Sequence, residues 1–144
     1  MVATIAQDNT TLARRIYGLF SNNKLEDVLA LVAEDAEVVL MPTGQTFHGR
    51  EGFTQFMQGF KSAFPDIQIT ITNQVASADS VVSEFIAGGT NTGPLSSPAG
   101  ALPATGKRAE WPVCEVWQIR DGQLTSLHNY QDMATMLRQL GLIS

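Results

Sequence analysis

Leu12, Ile16, Leu19 and Phe20 recur at helical spacing behind the polar starters Asp8, Asn9 and Thr10. This predicts a first helix, ended by Ser21-Asn22-Asn23. Leu25, Val28, Leu29 and Val32 then repeat the i, i+3, i+4, i+7 stripe of a second helix. Residues 36–41, AEVVLM, read as a strand stopped by Pro42-Thr43-Gly44. After His48-Gly49, Phe53, Phe56, Met57 and Phe60 line one side of a third helix, which Phe64-Pro65 ends. From there the period changes to two. Ile67, Ile69 and Ile71 alternate with Gln68, Thr70 and Thr72, as in a half-buried strand. A turn over 76–80 leads to a strand over 81–92. A segment rich in Gly, Pro, Ser and Ala follows over 93–106, with prolines at 94, 98 and 103. Residues 107–120 form a long strand, Arg120-Asp121-Gly122 reverses the chain, and residues 123–130 return antiparallel. Asp132 is placed as the N-cap of a short last helix that Gly141 stops.

Helices first and a meander of strands afterwards mean α+β, in one domain over 1–144. The expected architecture is a curved antiparallel sheet wrapped by three helices into a cone with an internal cavity, closed by the short C-terminal helix. The chain has 144 residues, 44% of them apolar and only 16% charged. That composition supports a buried core and excludes disorder, which needs low hydrophobicity and high charge. The net charge of −5, without a basic run, argues against nucleic acid and anionic membrane as partners. No apolar run approaches the ~18 residues of a membrane span, and the N-terminal segment lacks an apolar signal core. A soluble cytoplasmic protein is expected. With a single cysteine, Cys114, and two histidines, His48 and His128, far apart in sequence, neither a disulfide nor a metal site is expected.

Five stretches carry a resemblance: FHGREGFTQF from Phe47, AFPD at 63–66, GGTNTG at 88–93, ATGKR at 104–108, and the tail IRDGQLTSLHNYQDMATMLRQLG. In this order they resemble the SnoaL-like polyketide cyclases, within the nuclear-transport-factor-like superfamily of cone folds. The resemblance implies a deep, largely apolar cavity, usually in a homodimer, and aldol ring closure of polyketide esters without metal or cofactor. In those cyclases an aspartate on the last strand works as general acid/base, assisted by a histidine on the preceding strand. The aligned positions here are Asn129 and Glu115, so this chain departs from the family at both catalytic places.

Strand parity bears on the same two residues without the family. Trp111, Val113, Glu115, Trp117 and Ile119 share one face of the long strand. A two-residue turn at Asp121-Gly122 sets Glu115 opposite His128. A three-residue loop sets it opposite Leu127, with Asn129 on the same face. The three-residue loop is favoured, because it brings the two positions that the resemblance aligns with catalytic groups, Glu115 and Asn129, onto one wall; the two-residue alternative, which Asp-Gly usually signals, makes Glu115 and His128 a cross-strand pair.

On that wall Glu115 is the candidate base. Apolar neighbours desolvate a carboxylate and raise its pKa, which suits proton abstraction next to a carbonyl. Its other reading is a charge on the outer face or at a dimer contact. Asn129 is neutral and offers an amide N–H to a carbonyl or enolate oxygen, or else satisfies local backbone. Asn91 is placed at the cavity mouth by alternation with Phe85, or in a turn before Gly93. Trp111, Trp117, Phe85, Tyr17, Phe56, Phe60 and Leu127 are candidate lining residues, each also explicable as plain core. His128 faces outward on the favoured register, and His48 reads as a loop or capping residue. Residues 93–106 either lid the cavity or pack on its rim. The expected function is binding of a small apolar ring compound, with cofactor-independent aldol cyclisation or isomerisation if it is catalytic. The alternative is a non-catalytic ligand-binding or dimerisation module of the same fold.

Overall fold

A computed structural model describes residues 2–97 and 99–144; Pro98, one of the three prolines singled out above, lies outside the described residues. The elements are α1 (Val2–Ser21), α2 (Leu25–Leu29), β1 (Val32–Leu40), β2 (Gln45–His48), α3 (Gly49–Ala63), β3 (Gln68–Ala76), β4 (Ser80–Thr90), β5 (Leu95–Ser97), β6 (Gly100–Leu102), β7 (Arg108–Arg120), β8 (Gln123–Gln131) and α4 (Met133–Gln139). The α+β class and the order of the main elements agree with the expectation. Four details differ. The first helix starts at Val2, so Asp8, Asn9 and Thr10 lie inside it; Asn9 donates to the Ser77 and Ala78 carbonyls and Thr10 to the Ala6 carbonyl, and neither starts the helix. The second helix is a single turn that stops at Leu29, and Val32 of its presumed stripe opens a strand instead. The four residues Gln45–His48 form an edge strand that pairs with β1. Finally, the 93–106 segment holds a small hairpin, β5 with β6, rather than an unstructured connection.

Six strands form one curved, open sheet in the order β2-β1-β8-β7-β4-β3. Neighbours run antiparallel except β1 and β8, which are parallel. The middle of the sheet follows from strict alternation. Along β7 every odd residue from Ala109 to Ile119 is buried, and every even one is exposed or half-buried. Ala13, Ile16 and Tyr17 of α1 and Phe53, Phe56 and Met57 of α3 join the buried face of the sheet in one continuous core. Trp111 and Trp117 are 1% exposed. Burial of an indole of this size stabilises the fold by about 4–6 kcal/mol before entropy is counted. Asp132 caps α4 as expected, accepting from the Thr135 backbone N–H at 2.9 Å and its hydroxyl at 2.7 Å.

The hairpin between β7 and β8 corrects the favoured reading of its turn. Arg120 pairs with Gln123, so the loop has two residues. Asp121 and Gly122 both take positive φ (53° and 74°), the requirement of the tight turn that an Asp-Gly pair favours. Parity is then restored by a β-bulge. Ile119 pairs with Leu124 but Gln118 pairs with Ser126, so Thr125 is an extra residue on β8. Its hydroxyl donates to the Gln118 carbonyl at 3.1 Å. Beyond the bulge, Glu115 stands directly opposite Asn129, while His128 pairs with Val116 on the other face. The turn is the one not favoured, yet the shared wall for 115 and 129 is present.

Candidate active site

Glu115 and Asn129 are 4% and 3% exposed, deep between β7 and β8. Three donors converge on the carboxylate. The Tyr17 hydroxyl donates to Oε1 at 2.8 Å, the Trp117 indole N–H donates to Oε1 at 3.1 Å, and Asn129 Nδ2 donates to Oε2 at 2.7 Å. Asn129 is itself held. Gln131 Nε2 donates to its Oδ1 at 2.8 Å, and the Trp111 indole N–H donates to Gln131 Oε1 at 3.0 Å. A continuous chain of hydrogen bonds thus runs from Trp111 through Gln131 and Asn129 to Glu115.

Burial dominates the protonation of this group. Desolvation raises the Glu115 pKa, and the donors from Asn129, Tyr17 and Trp117 only partly offset it by favouring the charged form. The Tyr17 phenol is pushed well above its usual value, first by burial and then by the neighbouring Glu115 charge. It therefore stays protonated and keeps donating.

The carboxylate faces a pocket with a cavity volume of about 60 Å³. Tyr17, Phe56, Phe60, Phe85, Trp111, Trp117 and Leu127 all line it, beside Glu115 and Asn129. These are nine of the ten residues the sequence offers as site candidates. Asn91 is the exception. It is fully buried but absent from the pocket wall, and all four of its side-chain capacities are used elsewhere. Nδ2 donates to the carbonyls of Ala63 (3.1 Å) and Gly93 (2.9 Å), and Oδ1 accepts from the Thr105 N–H and hydroxyl, both at 2.9 Å. Asn91 ties the end of α3 to both ends of the 93–106 segment, which places it in the turn before Gly93 rather than at the cavity mouth. His48 is exposed, ends β2, makes no capping bond with its side chain, and lies 3.6 Å from Glu37.

Sequence reasoning misses Gln131. The available signal is its spacing of two from Asn129, which puts both on one face of a strand. Among the described residues no group of three or more His, Cys, Asp or Glu side chains is gathered to hold a metal ion. No helix among them is long and apolar enough to cross a membrane. The chemistry on offer is that of one poorly hydrated carboxylate, fixed by neutral donors, facing an apolar space.

The sequence profile of the SnoaL-like polyketide cyclases matches residues 10–140. Solved structures agree. A candidate SnoaL-like polyketide cyclase from Jannaschia sp. CCS1 is similar at 18% identity and a TM-score of 0.85, over 97% of this chain and 96% of that one. IdmH of Streptomyces antibioticus, a candidate polyketide cyclase, is similar at 27% identity and a TM-score of 0.76, over 92% and 98%. A candidate ketosteroid isomerase from Kribbella flavida DSM 17836 is similar at 19% identity and a TM-score of 0.67, over 88% and 79%. No curated protein matches the chain.

Proposed function

The chain belongs to the SnoaL-like polyketide cyclase family, and from that premise we propose that it binds a neutral, ring-containing or polyketide-like ketone and moves a proton next to its carbonyl without a cofactor. Glu115 is the base. The single observation that carries this reading is the hydrogen-bond set on Glu115: every partner is a donor, and none can accept a proton from it at neutral pH. Among the described residues of this wall, the carboxylate is the one group able to take a proton. Asn129 uses one of its two N–H groups on Glu115, and the other is free to polarise a carbonyl oxygen. Proton removal generates an enolate. Its attack on a second carbonyl of the same molecule gives aldol closure, and its reprotonation elsewhere gives isomerisation. The family's acid/base aspartate belongs at 129. Here the carboxylate stands on the neighbouring strand at the directly opposing position, which keeps it at the same depth in the pocket.

The test uses 2-tetralone, an apolar bicyclic ketone, in D₂O. Exchange of its α-protons, followed by NMR, is expected to be catalysed by the wild type. Glu115→Gln is expected to lose at least ~10²-fold in rate. Because the base must be ionised, kcat/KM rises with pH, with a midpoint above the usual carboxylate value of 4.5. Full exchange activity in Glu115→Gln overturns the assignment. Copies of the chain are further proposed to pair through the opposite face of β7 and β8, where Val116 and His128 are half-buried and Tyr130 is 45% exposed.

A further inference from the structure

The space beside Glu115 is small for the class of molecule just proposed. A second and larger space lies next to it, and two side chains belong to both. Phe56 and Phe60 line the inner pocket, and they also line an outer chamber of about 480 Å³ between α3, α4 and β5. Their rings stand edge to face, 5.4 Å apart at 84°. Phe56 is in turn backed by Phe47 at 5.7 Å. Phe56 is buried, whereas Phe60 is half-buried, so Phe60 is the side of this partition with room to swing. Leu40, Leu95, Met133 and Met136 supply further apolar wall to the outer chamber, Thr43, Gln45 and Gln55 add neutral polar groups, and among the described residues no charged side chain lines it. Thioethers on flexible stems adapt to apolar shapes of varied outline.

We propose that the two spaces form one bipartite binding site, in which the inner pocket takes the reacting ring and the outer chamber takes an uncharged apolar tail, with the Phe56–Phe60 pair as the partition between them. This rests on the reading of the inner pocket as the binding site. It adds a substrate class: a ring bearing an extended hydrocarbon substituent, rather than a bare ring. It also assigns a role to the β5–β6 hairpin, which contributes Leu95, Ser96 and Ser97 to the chamber wall. Tail length, not ring chemistry, is then read at this end of the fold.

Gly59 allows a clean test. It lines the outer chamber, is exposed on α3, and a Cβ built there meets nothing within 4 Å. Gly59→Trp therefore fills the chamber from a position that does not line the inner pocket. The probes are phenol and its 4-n-alkyl homologues, with binding read by isothermal titration calorimetry. In the wild type, affinity is expected to rise about threefold to fourfold for each methylene added, until the chamber is full. In Gly59→Trp phenol binds as before but the gain with chain length is lost. Gly59→Leu, a smaller plug, shows a partial loss. Equal affinity along the series in the wild type, or an undiminished gain in Gly59→Trp, overturns the bipartite site. Phenol separates the two readings. If phenol binds and the tails add nothing, only the outer chamber falls. If phenol does not bind, the inner pocket falls with it.

Discussion

Every hydrogen bond around Glu115 has a direction, and two indoles set it. An indole N–H can only donate. Trp111 therefore makes Gln131 Oε1 an acceptor, which turns Gln131 Nε2 toward Asn129 Oδ1 and leaves Asn129 Nδ2 facing Glu115. Trp117, from the other end, demands an acceptor at Glu115 Oε1. Glu115→Gln cannot satisfy both ends. Its amide nitrogen faces Asn129 Nδ2, and flipping the amides only passes the donor–donor conflict along to Trp111. The expected cost is about 1–3 kcal/mol for the buried group left without a partner. Asn129→Asp fails differently, by placing a second carboxylate at 2.7 Å, so that the two must share one proton. The double variant Glu115→Gln/Asn129→Asp removes both conflicts. The amide introduced at position 115 then donates to the carboxylate introduced at position 129, which still accepts from Gln131. Urea denaturation of the four proteins is expected to show the double variant more stable than the sum of the singles by at least ~1 kcal/mol. Simple additivity would show that the chain lacks a fixed direction.

At the scale of elements, Asn91 stands for what spacing cannot reveal. Alternation along β4 extends naturally to it, but β4 ends at Thr90, and one residue later the side chain is stitching loop ends together. Asn91→Ala leaves the Ala63 and Gly93 carbonyls and the Thr105 N–H without these partners. It is expected to cost roughly 2–4 kcal/mol in thermal unfolding, with the exchange rate per folded molecule unchanged. A selective loss of rate without loss of stability would return Asn91 to the pocket. The long periodic elements are legible because burial on one face forces their pattern: the Phe stripe of α3 and the odd residues of β7 are examples. The wall shared by Glu115 and Asn129 is reached through the family alignment and not through local pattern. Asp121-Gly122 signals the two-residue turn, but no pattern announces the bulge at Thr125, which restores the parity that such a turn alone would reverse. The four-residue β2 and the three-residue strands β5 and β6 are too short to show any period, and their pairing depends on partners that no local pattern announces.

For the molecule as a whole, the face opposite the pocket and the pocket itself make separate demands. If copies pair through Val116, His128 and Tyr130, sedimentation velocity finds a dimer, and Val116→Glu shifts it to monomer while phenol still binds by isothermal titration calorimetry. A wild type that sediments as a monomer at the same concentration rules this pairing out. Inside, the polar atoms are not spread around the pocket. Glu115, Asn129 and Gln131 lie on β7 and β8, and Tyr17 reaches in toward the same carboxylate, while α3 contributes Phe53, Phe56, Met57 and Phe60. A flat ring lying between these walls shows one side to the carboxylate and the other to the phenylalanines. On the proposed reading, proton removal by Glu115 is expected to have a handedness: of two enantiotopic hydrogens on a methylene carbon, only the one pointing at β7 exchanges, and the deuterated product is a single enantiomer.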